Sequence, residues 1–198
     1  MTHPLDSLPF DRVAPAGPYG LPGAAGVTAT RVEGLAVATL TARKGAGTAL
    51  VEKFRQDFTP AFTDAPRAAA AGGTVFIGTG PARWLALSDT DAGLAATLKN
   101  AAGPLAAVTG QSDAFIVFEL TGARVPDTLA KGALIDLDPA VFTPGTAATT
   151  VIAHLGVTLW RQDEANWRVL VGRSHEAAFC RFLIASAAEY GIELDGRG

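Results

Sequence analysis

One cysteine, three histidines and no cluster of cations leave this chain of 198 residues few routes to chemistry. The lone Cys180 excludes an intrachain disulfide, and its neighbours Phe179, Phe182 and Leu183 mark it as a buried structural thiol. The histidines are His3, His154 and His175, and none stands at the i, i+2 or i, i+4 spacing with which two imidazoles share a metal. His154, beside Leu155 in an apolar stretch, reads as a hydrogen-bonded structural residue of a strand, and His175 as an exposed residue of a first helical turn. A net charge of −3 without a Lys/Arg run gives no footprint for nucleic acid, which needs clustered cations to neutralise phosphates. No apolar run approaches the roughly 18 residues that mark a membrane span. The start Met-Thr-His-Pro-Leu-Asp-Ser has neither the basic nor the apolar part of a signal peptide. The expected location is the cytoplasm.

Phosphate loops and nucleophile elbows are missing too. Glycines number 22, yet Gly78-Thr79-Gly80 runs into Pro81 and a strand, and no Gly-Lys-Ser/Thr occurs. Gly45-Ala46-Gly47 does precede a helix, with Arg43 and Lys44 alongside. Two readings fit it, an anion at the helix N-terminus and an unoccupied flexible turn. The carboxylates Asp89, Asp91, Asp113, Asp136 and Asp138 fall at turns or caps, where Asp bonds nearby backbone N–H groups. Ser112 stands in no Gly-x-Ser-x-Gly elbow. These residues nominate no catalytic, cofactor-binding or metal-binding group.

What the chain does have is apolar bulk. Hydrophobic residues make up 48%, charged residues only 18%, and the mean hydropathy is +0.25, so part of the apolar surface is expected to face a partner. Residues 1–30 carry Pro4, Pro9, Pro15, Pro18 and Pro22 with Gly17, Gly20, Gly23 and Gly26, a density of breakers expected to prevent any regular element. This Pro/Gly-rich segment reads either as a disordered leader or as an extended N-terminal arm lying along another subunit.

Beyond the arm, Leu35 to Leu40 reads as a strand, and Gly45 to Phe58 as a helix with Leu50, Val51, Phe54 and Phe58 at helical spacing. An alanine-rich turn leads to Gly72-Gly73. Strands follow at Thr74 to Gly78 and Arg83 to Ser88, a helix reaches about Ala102 after capping side chains at Ser88 to Asp91, and a strand spans Leu105 to Thr109. The second half offers a strand at Ala114 to Leu120 and a short helix within Gly122 to Lys131. After an irregular loop come strands at Thr149 to Leu155, Val157 to Arg161 and Trp167 to Val171, and a helix at Ser174 to Tyr190 with Ser174 as N-cap. The fold class is α+β, with two fused split-βαβ, ferredoxin-like units built on antiparallel sheets. Residues 31–198 are expected to form a single compact domain of two pseudo-repeated halves, about 31–110 and 111–192.

Three Arg/Trp neighbours draw attention: Arg83-Trp84, Trp160-Arg161 and Trp167-Arg168. Adjacent strand residues face opposite ways, so each pair offers one side chain to the core and one to the outer face. Core packing with a solvated Arg is one reading. Because Trp and Arg are enriched in interface hot spots, the other makes these six residues a candidate subunit interface.

A succession of short sequence words gives a resemblance over roughly residues 30–190: Gly80-Pro-Ala-Arg-Trp-Leu-Ala-Leu-Ser88, Val108-Thr-Gly-Gln-Ser-Asp113, Leu129-Ala-Lys-Gly132, Asp136-Leu-Asp-Pro139, Ala153-His154 and Val171-Gly-Arg-Ser174. As a set they resemble the gamma subunit of heterotetrameric sarcosine oxidase. That resemblance implies a non-catalytic accessory subunit beside alpha, beta and delta subunits, in a complex that oxidatively demethylates sarcosine and passes the methyl carbon to tetrahydrofolate. It places FAD, FMN, NAD and tetrahydrofolate in the partner subunits and none in this chain. It also implies a fold similar to the folate-binding domain of the glycine-cleavage aminomethyltransferase. A gamma subunit of a related N-methyl amino-acid oxidase or dehydrogenase, and a free-standing folate-binding aminomethyltransferase-like protein, are the alternatives.

Overall fold

The computed structural model describes residues 12–195. In chain order the elements are β1 (Gly17–Tyr19), β2 (Val27–Val32), β3 (Ala36–Ala42), α1 (Gly47–Asp57), β4 (Ala68–Ala71), β5 (Thr74–Gly80), β6 (Arg83–Ser88), α2 (Leu94–Ala102), β7 (Ala106–Gly110), β8 (Phe115–Thr121), α3 (Val125–Ala130), β9 (Ala147–Ile152), β10 (Leu155–Arg161), β11 (Asn166–Gly172), α4 (Glu176–Ala187) and β12 (Ile192–Asp195). Two compact units result. The inserted unit comprises residues 34–115 and 145–149, and the outer unit the described parts of 1–33, 116–144 and 150–198.

The inserted unit carries a five-stranded sheet in the order β4-β5-β6-β3-β7, every neighbouring pair antiparallel. Its core forms because α1 buries Leu50, Val51 and Phe54 on one stripe, and α2 buries Leu94, Leu98 and Ala102. Against them stand Leu40 of β3, Phe76 of β5 and Trp84 of β6. Phe54 lies 5.0 Å from Phe58, 5.1 Å from Phe62 and 5.8 Å from Phe76, centroid to centroid, and Phe62 stacks on Trp84 at 5.1 Å. Gly78 is required by close approach, since a Cβ there would sit 1.9 Å from the Ala65 carbonyl oxygen.

The outer unit carries a seven-stranded sheet in the order β1-β12-β2-β8-β11-β10-β9. β12 runs parallel to β2, and β2 antiparallel to β8. The run from β8 to β12 repeats the element order of the run from β3 to β7, strand-helix-three strands-helix-strand. Strand order repeats as well, except that β2 stands between β8 and β12 where β3 and β7 pair directly. This is the α+β architecture of split-βαβ units expected from the element order.

Several local expectations need correction. The breakers of residues 1–30 exclude helix but not strand: β1 and β2 form there, and Pro18 is tolerated because β1 is a sheet edge. Residues 1–11 of that arm, with His3, lie outside the described residues. The alanine-rich turn is strand β4, paired with β5 from Ala68↔Ile77 to Ala71↔Thr74. Alanine carries little strand propensity, so this pairing is a tertiary override. His154 is no strand residue; with Ala153 it makes the tight turn between β9 and β10 at φ +66° and +48°, and it is exposed. β12 had no sequence signal beyond Ile192 and Leu194, which are buried against the sheet. α4 starts at Glu176 after a 3-10 turn at Arg173–His175, and Ser174 makes no cap bond to it.

Candidate functional site

Three of the carboxylates singled out along the loops are occupied with backbone. Asp91 Oδ1 accepts from the Gly93 N–H at 2.8 Å, Asp136 Oδ1 from Asp138 at 2.9 Å, and Asp138 Oδ1 from Ala140 at 2.8 Å. Such closures are what Asp does in turns, leaving the carboxylate fixed rather than aimed at a cleft. Ser112 Oγ accepts from the Val37 N–H at 3.0 Å and holds β3 to the turn after β7. Among the described residues no group of three or more His, Cys, Asp or Glu side chains could hold a metal ion, and no helix is long and apolar enough to cross a membrane.

The six Arg/Trp residues separate into distinct environments. Trp84 is buried in the inserted unit and donates its indole N–H to the Thr63 carbonyl at 2.8 Å, while Arg83 is exposed. Here the alternation of strand faces works as expected. In the outer unit it does not: Trp160, Arg161 and Trp167 are all buried, Arg161 with only 4% of its surface exposed. Arg168 is half-buried and donates through Nε at 3.0 Å and one terminal nitrogen at 2.8 Å to Glu119 Oε2.

Arg161 is held on several sides within that unit. One terminal nitrogen donates to the Pro139 carbonyl at 2.9 Å and the Phe142 carbonyl at 3.2 Å, and the other to the Glu164 carbonyl at 3.0 Å and carboxylate at 2.6 Å. Its guanidinium lies over an aromatic face: the carbon sits 5.4 Å from the Trp167 ring centre, and Trp167 stacks on Phe142 at 5.2 Å. The guanidinium therefore ties the loop bearing Asp136-Leu-Asp-Pro139 to the end of β10. Nothing in the spacing of Trp160-Arg161 could reveal this, because the acceptors are, apart from the Glu164 carboxylate, main-chain carbonyls, which every sequence supplies.

Other features escaped the sequence reading. Tyr190 presents its ring to Arg124 at 5.1 Å and to Lys131 at 4.7 Å, and Lys131 pairs with Glu189, whose carboxyl is held below its usual range by that ammonium. A cavity of about 220 Å³ opens beside Val13, Ala14, Arg31, Glu176 and Cys180. Arg31 there reaches Glu33 at 2.9 Å and Glu176 at 3.3 Å. Cys180 is buried, and burial first, with Glu176 adding, pushes its thiol up to about 12, so it stays protonated at neutral pH. Leu134, Val141 and Leu21 are large aliphatic side chains left more than half exposed.

Comparisons with known proteins converge. The model of the sarcosine oxidase, gamma subunit family matches residues 46–189. The chain is 34% identical over 127 residues to the sarcosine oxidase subunit gamma of Corynebacterium sp. (strain P-1), covering 64% of this chain and 63% of that one. It is 38% identical over 104 residues to the corresponding subunit of Arthrobacter sp., covering 52% and 51%. It thus spans between half and two thirds of these curated relatives. Among solved structures it resembles a chain of heterotetrameric sarcosine oxidase from Corynebacterium sp. U-96, solved with pyrrole 2-carboxylate, with a TM-score of 0.71, 29% identity, and 83% and 85% coverage. The glycine cleavage system aminomethyltransferase T of Bartonella henselae shares the fold at a TM-score of 0.64 and 12% identity, over 87% of this chain and 48% of that one.

Proposed function

Since the chain belongs to the sarcosine oxidase gamma subunit family, we propose that it is an accessory subunit of a heterotetrameric, flavin-dependent sarcosine oxidase. The observation that carries this reading is the match, over more than four fifths of both chains, to a chain of such a heterotetramer. In that assembly the alpha, beta and delta subunits hold FAD, FMN, NAD and tetrahydrofolate, the methyl group of sarcosine is oxidised there, and the complex works in the cytoplasm. The environments of the carboxylates support a non-catalytic role for this chain: Asp91, Asp136 and Asp138 close their own turns, and Cys180 is a buried thiol. The likeness to aminomethyltransferase T is one of fold, and fold does not carry a folate site with it.

The test is co-expression of the tagged chain with the proteins encoded beside it, followed by mass measurement and a titration of the isolated chain with tetrahydrofolate. Co-purification of a flavin-bearing complex, with no folate binding by the chain alone, is the expected result. A lone monomer that binds folate would replace this reading with that of a free-standing folate-binding protein.

A further inference from the structure

Sheet edges are where one chain recruits another, and four are present here. β4 is covered at its start, where the Ala68 N–H donates to the Gly145 carbonyl at 2.8 Å and Arg67 bridges Thr146. β9 is met by the bridge Ala133↔Ile152. β1 is three residues long and contains Pro18. These are the usual protections of an edge. β7 has none of them: Ala106-Ala107-Val108-Thr109-Gly110 holds no charge and no proline, and no bridge meets its outer side among the described residues.

The register shows which groups that edge presents. β3 and β7 pair with Thr39 opposite Thr109 and Leu40 opposite Val108. The Gln111 N–H donates to the Val37 carbonyl and the Arg43 N–H to the Leu105 carbonyl, both at 2.7 Å. In an antiparallel ladder bonded pairs alternate with unbonded ones. Pairs 37/111 and 43/105 being bonded, 39/109 and 41/107 are bonded too, and Val108 and Gly110 turn their N–H and C=O groups away from β3. No backbone hydrogen bond among the described residues takes them up.

The corresponding edge of the outer unit is occupied. β12, the counterpart of β7, carries β1 antiparallel on its far side, Gly17 opposite Leu194 to Tyr19 opposite Ile192. Charge adds a second pointer. Arg43 and Lys44 are exposed beside the Leu105 end of β7, and neither forms an ion pair among the described residues. We propose that β7 is a strand-addition site that takes an extended segment of a companion subunit, with small uncharged side chains along its length and a carboxylate where it passes Arg43 and Lys44. This rests on the accessory-subunit reading above and names the surface through which it acts.

Amide hydrogen exchange on the co-expressed complex tests it, with three variants. Proline at a position whose N–H faces outward is tolerated in an edge strand, so Val108→Pro should leave the isolated chain folded yet lower co-purification of the companions by about tenfold or more. Thr109→Pro removes a bond to β3 and should destabilise the isolated chain, which checks the register. Arg43→Glu with Lys44→Glu should weaken assembly without touching the fold, and it serves should Val108→Pro fail to fold. In the wild type, the Val108 and Gly110 amides should exchange freely in the isolated chain and slowly in the complex. A complex that forms with both amides still exchanging freely overturns the strand addition and leaves the accessory reading standing. Protection of those amides in a homodimer of the isolated chain overturns the companion subunit as occupant. Failure of the wild type to assemble with any neighbour overturns the accessory reading, and this surface with it.

Discussion

The two seven-element runs follow one path and end in different surfaces. From β3 to β7 the chain closes a sheet in which first and last strands pair directly, over a core of five aromatic rings. From β8 to β12 the same path is opened by β2 and widened by β1, and its paired rings fall into two groups, Phe118-Phe179-Phe182 and the Arg161-Trp167-Phe142 stack. One run thus has β12 covered by strands from the arm, while the other leaves β7 bare among the described residues. The lesson is that element order sets the path of a sheet, and strands from elsewhere in the chain decide which edges remain for partners.

The contrast can be broken most forcefully at Phe54, whose ring touches three others in the inserted unit. Phe54→Ala should cost about 3–5 kcal/mol by urea denaturation, the range for deleting a fully buried aromatic ring. A loss under about 1 kcal/mol would mean that the cluster does not form the core of that unit.

Arg161→Met asks whether the outer unit relies instead on a polar clasp. Leaving the Pro139, Phe142 and Glu164 carbonyls without their donor should cost about 2–4 kcal/mol. Limited proteolysis should then cut within residues 136–145, where the wild type resists. Unchanged stability and unchanged cleavage would reduce the clasp to a packing detail.

Cys180 gives the outer unit a pH signature that the inserted unit, lacking cysteine, does not have. Its folded pKa of about 12 lies above the reference value of 9.0 for the unfolded chain. The folded state thus holds the proton more tightly; the stabilisation is complete below pH 9 and is lost as pH rises from 9 toward 12. Between pH 9 and 10 wild type should lose about 1 kcal/mol relative to Cys180→Ala, measured as the difference in unfolding free energy at each pH. Parallel curves for the two proteins would mean that the thiol is not buried as described.

The smallest effect is expected at Arg168→Ala. Its pair with Glu119 is partly solvated, so the change should stay under about 1 kcal/mol and shrink further in salt. A loss as large as that of Arg161 would erase the distinction between a buried clasp and a surface pair.

Much of this was readable in advance where neighbours in sequence are neighbours in space. The stripe Leu50-Val51-Phe54 placed α1, the run ending at about Ala102 placed α2, and the Trp84 strand went to the core with Arg83 outward. The short words that resemble the gamma subunits were also legible, since they mark turns such as Gln111-Ser112-Asp113. β4 was not legible, because four alanines carry no strand signal and owe their form to Phe76 and its neighbours on β5. His154 was misplaced because a two-residue turn at positive φ usually advertises itself with Asn or Gly, and here it is Ala153-His154.

The sequence by itself determined the α+β class and the order of most elements, which depend on local periodicity and turn residues, and its short words carried the resemblance to the family. Only the tertiary structure decided that β2 stands between β8 and β12, that Arg161 is interior, and that Val108 and Gly110 turn their backbone groups away from β3. The reason is physical: strand pairing and carbonyl recognition use backbone groups common to all residues, so they leave no mark in the side-chain alphabet.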